Sequence, residues 1–120
     1  MKDKLVIVST HSEDDPERAI IPFVLGLTAL SSGMESVIVL QVMGVYMAKK
    51  GFAQNVHEQA FPPVKELIDT YMESGGKILV CNPCMKKRGL EAGVLIEGAV
   101  VVNAPIIVKE MGEAKNVVSY

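Results

Sequence analysis

At 120 residues the chain is long enough to bury a core but too short for two, so a single domain over residues 1–120 is expected. Hydrophobic residues make up 49% and charged residues 22%, a globular balance, and the mean hydropathy of +0.30 predicts apolar surface covered by further subunits. A net charge of −2 offers no basic field for a phosphate backbone, which argues against direct nucleic-acid binding.

In chain order, "KLVIVST" (4–10) is β-branched and continuously apolar, the pattern of a buried parallel strand. "SEDDPERA" reads as a helix start, with Asp14 or Asp15 as cap, Pro16 in the first helical position and Glu17 at the positive end of the dipole. Ile20, Phe23, Val24, Leu27 and Leu30 recur at helical spacing up to Gly33, although Pro22 is expected to bend the helix or delay its regular part. "SVIVLQ" (36–41) reads as the second strand and "GVYMAKKG" (44–51) as a short helix stopped at Gly51. A loop follows, then a helix at 63–74 with Val64, Leu67, Ile68 and Tyr71 on one face, ended by Gly75-Gly76. "KILVC" (77–81), "AVVV" (99–102) and "NVVSY" (116–120) are the remaining strands, and "NAPIIVKEMGEA" a helix capped by Asn103. Such alternation predicts right-handed β-α-β units and a parallel sheet covered on both faces, with ligands at the carboxyl ends of the strands.

The apolar runs at 19–30 and 36–47 fall short of the ~20 residues that span a bilayer, and Leu5–Val8 is too short for a signal-peptide core. No membrane contact and a cytoplasmic location are therefore expected, where thiols stay reduced. Both cysteines stand in one C-x-x-C, "ILVCNPCMKKRG", at the end of the third strand. If "PCMKKRG" opens a helix with Pro83 in its first turn, its amides and Lys86, Lys87 and Arg88 are expected to hold Cys81 ionised. Cys84, one turn on, is placed to resolve an oxidised or persulfidated Cys81 into a disulfide.

Tetrahedral zinc wants four ligands and the motif supplies two, leaving His11 and His57 as partners, so no metal is expected. Burial as two small apolar side chains is the bland alternative. "STHSEDD" (9–15) reads first as a capped helix start, with His11 also in position to be the proton partner of a nearby thiol. Glu97 reads as a solvated loop carboxylate and Met43, Met47, Met72, Met85 and Met111 as core or interface. No P-loop and no G-x-G-x-x-G follows a strand, so no nucleotide and no other cofactor is expected.

The order "STHSEDDPERAIIPFVLGLTAL", "VIVLQVMGVYMAKKG", "GGKILVCNPCMKKRGL", "LIEGAVVVNA" resembles the DsrE-like group, including small archaeal and bacterial members sometimes labelled predicted peroxiredoxins. The resemblance implies a three-layer α/β/α sandwich with a five-stranded parallel sheet, assembled as homo- or hetero-oligomers such as trimers or hexamers. Characterised relatives, the DsrE and TusD subunits, pass sulfur as a cysteine persulfide between donor and acceptor proteins. Their acceptor cysteine stands eight residues before the glycine of an Arg-Gly pair, as Cys81 stands before Gly89 of Arg88-Gly89, so the acceptor role carries over to Cys81. Cys84 has no counterpart in that relay motif. Cys81 and Cys84 are thus the expected reactive pair, with His11, Asn82, Lys86, Lys87, Arg88 and Gly89 in support. A sulfur carrier is the first reading; a dithiol-disulfide redox protein and a non-catalytic oligomeric binding module are the alternatives.

Overall fold

The computed structural model describes residues 2–120. Its strands are β1 (Lys4–Ser9), β2 (Glu35–Leu40), β3 (Lys77–Cys81), β4 (Val100–Val102) and β5 (Asn116–Ser119). The α-helices are α1 (Pro16–Ser31), α2 (Val64–Glu73), α3 (Asn82–Lys87) and α4 (Ala104–Glu113). All strand pairs are parallel, in the order β4-β3-β2-β1-β5.

Local chemistry explains most of these boundaries. Asp15 caps α1 by accepting from the Arg18 amide, with Pro16 at the start of the helix and Glu17 in its first turn. The helix is already regular from Pro16 and continues without a break across Pro22, which is buried, so packing outweighs the hydrogen bond its ring removes. The segment read as a helix over 44–51 is instead a 3-10 turn, Val42–Ala48. It starts two residues after the end of β2, with Gly44 lying against the Ser9 carbonyl at the end of β1.

Handedness then decides which face each helix covers. The chain steps from β1 through β4 in one direction across the sheet, and right-handed crossovers place α1 and α2 on the same side. Here Ile20, Phe23, Ile68 and Tyr71 pack on Ile7, Ile38, Leu40, Ile78 and Val80, with Phe23 and Tyr71 meeting edge to face at 6.3 Å. The return from β4 to β5 runs the other way, so α4 alone lies on the opposite face, Ile107 resting on Val6, Val37, Val39 and Leu79. The architecture is therefore α/β/α with one thick and one thin outer layer. At the thin layer Val100, Ile106, Val108 and Val117 remain exposed.

Candidate functional site

Register places three chain ends side by side. Ser9 pairs with Leu40 and Leu40 with Val80, so Thr10, Gln41 and Cys81 line the carboxyl edge of β1, β2 and β3. Cys81 ends β3 and is at the same time the N-cap of α3, with Pro83 in the helix's first turn, as the sequence implies. Cys84 stands in that first turn and is partly exposed; both thiols are free.

One expectation fails here. Cys81 is only 8% exposed, and burial pushes its thiol above the ordinary value; the adjacent Cys84 thiol adds to this. The Cys84 amide and the Arg88 guanidinium pull in the opposite direction without reversing it. Desolvation outweighs the short helix, so Cys81 rests as a thiol and not as the ionised sulfur its sequence context promises. Lys86 and Lys87 contribute little for a simple reason: they lie exposed in the last turn of α3, where they complement the negative end of the dipole. Arg88, by contrast, folds back so that its Nη1 donates to the Cys84 carbonyl at 3.1 Å.

Gly89 has a structural part. Its φ of +69° carries the chain past the end of α3, while its amide and that of Leu90 bond to the carbonyls of Lys86 and Met85. Asn82 donates to Asn103 Oδ1 at 3.3 Å, joining the starts of α3 and α4. Asn103 is the N-cap residue of α4 as expected, but its side chain makes no capping bond.

His11 stands on the loop after β1. Its Nδ1 lies 2.7 Å from Asp14 Oδ2, and Asp14 Oδ1 accepts from the Ser12 amide at 2.7 Å. Although partial burial opposes it, these bonds hold the Asp14 carboxyl below the usual range. Asp15 alone performs the capping, which leaves Asp14 for the imidazole. Among the described residues His11 makes no hydrogen bond to either thiol. His57 is exposed beside the start of α2 in a shallow cleft with Val56, Pro63 and Val64. Glu97 lies just before β4, at the opposite edge of the sheet from the thiols, and is exposed as expected. No group of three or more His, Cys, Asp or Glu side chains able to hold a metal is found among the described residues.

Two residues that sequence reasoning missed shape this edge. A Cβ on Gly44 would stand 2.1 Å from the Ser9 carbonyl oxygen, so only glycine lets the 3-10 segment lie against the end of β1. Gly44 stands four residues past the end of β2, and an isolated glycine within that apolar run was the legible signal of close approach. Val42 has φ +54°, a left-handed conformation for a β-branched residue, and it is 46% exposed at the end of β2. No sequence rule anticipates that. Ser9 and Ser12 are fully buried, and their hydroxyls have no partner.

A parallel α/β domain presenting a dithiol at the carboxyl end of a central strand is the class this arrangement defines. The chain belongs to the DsrE/DsrF-like family, whose model matches residues 3–120. Similar proteins include an uncharacterised protein of Methanocaldococcus jannaschii, 38% identical over 117 residues and covering 98% of this chain and 99% of the relative. Another, from Methanopyrus kandleri, is 34% identical over 118 residues, covering 98% and 94%. In fold the chain is similar to the ychN protein from E. coli, with a TM-score of 0.82 at 16% identity and 98% and 99% coverage. It is also similar to the protein of unknown function MTH1491 from Methanobacterium thermoautotrophicum, with a TM-score of 0.75 at 15% identity and full coverage of both chains.

Proposed function

We propose that this chain is a sulfur carrier in which Cys81 accepts a sulfane sulfur and Cys84 resolves the product. The observation that carries the reading is the pairing itself: Cys84 brings both its thiol and its amide to Cys81 at the carboxyl edge of a central strand. A sulfur added to Cys81 carries the reactive end about 2 Å beyond the buried parent atom, while the neighbouring Cys84 is partly exposed. An acceptor thiol takes the outer sulfur directly. Alternatively, Cys84 attacks the inner sulfur, closes a Cys81–Cys84 disulfide and expels hydrosulfide, and a cellular dithiol then reduces the pair. Arg88 and the Cys84 amide stabilise the negative charge that passes over the sulfurs in either route.

Donor and acceptor are proteins in this reading, and the chain works as a homo-oligomer. Exposed Val100, Ile106, Val108 and Val117 on the thin layer support that assembly. A reducing cytoplasm suits a working dithiol; among the described residues no helix is long and apolar enough to cross a membrane.

Incubation with glutathione persulfide followed by peptide mass spectrometry tests the roles. A mass gain of one sulfur on Cys81, retained longer in a Cys84→Ser variant, is expected. Sulfur found on Cys84 with none on Cys81 overturns the assignment. A dithiol-disulfide redox function shares the contact between the thiols; titration against a thiol buffer without sulfur donor tests it, and a pair that never closes to the disulfide removes it.

A further inference from the structure

We propose that His11, oriented by Asp14, is the proton acceptor and donor for Cys81 during sulfur uptake; this rests on the carrier reading above. The need for such a group arises from burial. Cys81 is nearly sealed and rests protonated, so a donor sulfur meets a poor nucleophile unless the proton is removed as attack begins.

Geometry supplies His11. Thr10 and Cys81 stand level on either side of Gln41, two strand spacings or about 10 Å apart, and His11 follows Thr10. The loop that bears it is pinned on both flanks. The Thr10 amide and hydroxyl both donate to the Tyr120 carbonyl, at 2.9 and 2.7 Å, and Ser12 is fully buried. Between these anchors the imidazole itself remains 31% exposed. Asp14, anchored by the Ser12 amide and freed from capping by Asp15, takes Nδ1. A neutral imidazole so held carries its proton on Nδ1 and keeps Nε2 as a base, the same division of labour that a buried aspartate imposes in serine hydrolases. Proton transfer between Nε2 and the Cys81 Sγ needs direct contact or one bridging water.

The step balances without any change in total oxidation. Nε2 takes the Cys81 proton while Cys81 Sγ attacks the outer sulfur of a donor persulfide, R–S–SH. The donor's S–S bond breaks, its electron pair leaves with R–S, and the imidazolium returns the proton to give R–SH and Cys81–S–SH. Asp14 is a positioning residue, acting through His11. The charged and titratable groups around this path are Asp15 with its partner Arg18 on the same loop and helix, Tyr120 from the β5 side, and Cys84 and Arg88 on the thiol side.

The experiment follows two rates at Cys81 across about pH 6 to 9, the range where imidazoles and thiols titrate: sulfur uptake from glutathione persulfide, and alkylation by iodoacetamide. His11→Asn is expected to slow uptake about 100-fold near neutrality, the low end of positioned proton transfer, and to change the shape of the pH profile. Asp14→Asn, which preserves shape, is expected to lose part of the rate and to change the profile in the same sense. Unchanged profiles in both variants overturn the assignment while leaving the carrier reading intact. A wild-type chain that takes up no sulfur, yet whose alkylation profile responds to His11→Asn, overturns the carrier reading and keeps the proton relay. Far-ultraviolet circular dichroism confirms that each variant is folded, and Asp14→Asn decides the matter if His11→Asn is not.

Discussion

The two edges of the sheet are built on opposite rules. At the amino edge the buried polar groups Tyr71 and Ser36 are engaged. Tyr71 Oη meets the Ser36 and Lys77 carbonyls at 2.9 Å and Ser36 Oγ at 3.1 Å, stitching α2 to the starts of β2 and β3. Lys4 at the start of β1 reaches Glu110 at 2.8 Å and Glu113 at 3.1 Å on α4. The carboxyl edge, a few residues along the same strands, holds a left-handed valine, two buried hydroxyls without partners, and a buried thiol lifted above its ordinary value. Strain and unsatisfied groups persist only where the surroundings enforce them, and they gather at functional sites. One edge secures the fold so that the other can hold an uncomfortable arrangement in place.

The largest expected effect tests the secure edge. Tyr71→Ala empties a fully buried site between Gly26, Gly76 and Phe23, and should cost about 4 kcal/mol in denaturant unfolding. The same residue sets an alkaline limit. Burial pushes the Tyr71 phenol from 10.0 up to about 12. The folded chain therefore keeps a proton that the unfolded chain releases near pH 10, so this contribution is intact below pH 10 and is lost progressively as pH rises toward 12. Tyr71→Phe should flatten that alkaline loss, measured as midpoint against pH.

Next comes the junction that braces the functional edge. Gly44→Ala forces a methyl onto the Ser9 carbonyl, a backbone atom that cannot swing aside, and should cost about 2–3 kcal/mol by the same measurement. It should also slow sulfur uptake at Cys81, because the 3-10 segment packs against β3 and α3 on one side and, through Gly44, against the Ser9 carbonyl on the other. A destabilised variant with unaltered uptake would separate the brace from the chemistry.

The smallest effect has the opposite sign. Ser9→Ala removes a buried hydroxyl that has no partner, so stability should rise by about 1 kcal/mol. A loss of that size would show that the hydroxyl is bonded in solution, and the contrast between the two edges would weaken.

Much of this molecule was legible beforehand because local rules and tertiary demands agree. The runs at 4–10, 36–41 and 77–81 contain β1, β2 and β3 to within a residue at each end, since a strand buried on both faces must be apolar at every position. Proline, acidic and glycine signals fixed the ends of α1 and α2 equally well. Cys81 at the junction of β3 and α3 was legible for the same reason. The segment after β2 was misread: the pattern of "GVYMAKKG" is helical enough, but the chain there packs its backbone against the end of β1 and winds as a 3-10 turn.

What the sequence determined alone was the order and type of the main elements, the parallel sheet, and the place of the dithiol at a strand's carboxyl end. Tertiary structure decided the electrostatics. Whether the amides and cations near a thiol outweigh its burial depends on how deeply the neighbouring elements cover it, and at Cys81 desolvation prevailed. The same holds for Asp14 and Asp15. Adjacent in sequence and equally suited to cap α1, they were divided by geometry, one to the helix and the other to His11. Charges act through distance and surroundings, and those exist only once the chain has closed on itself.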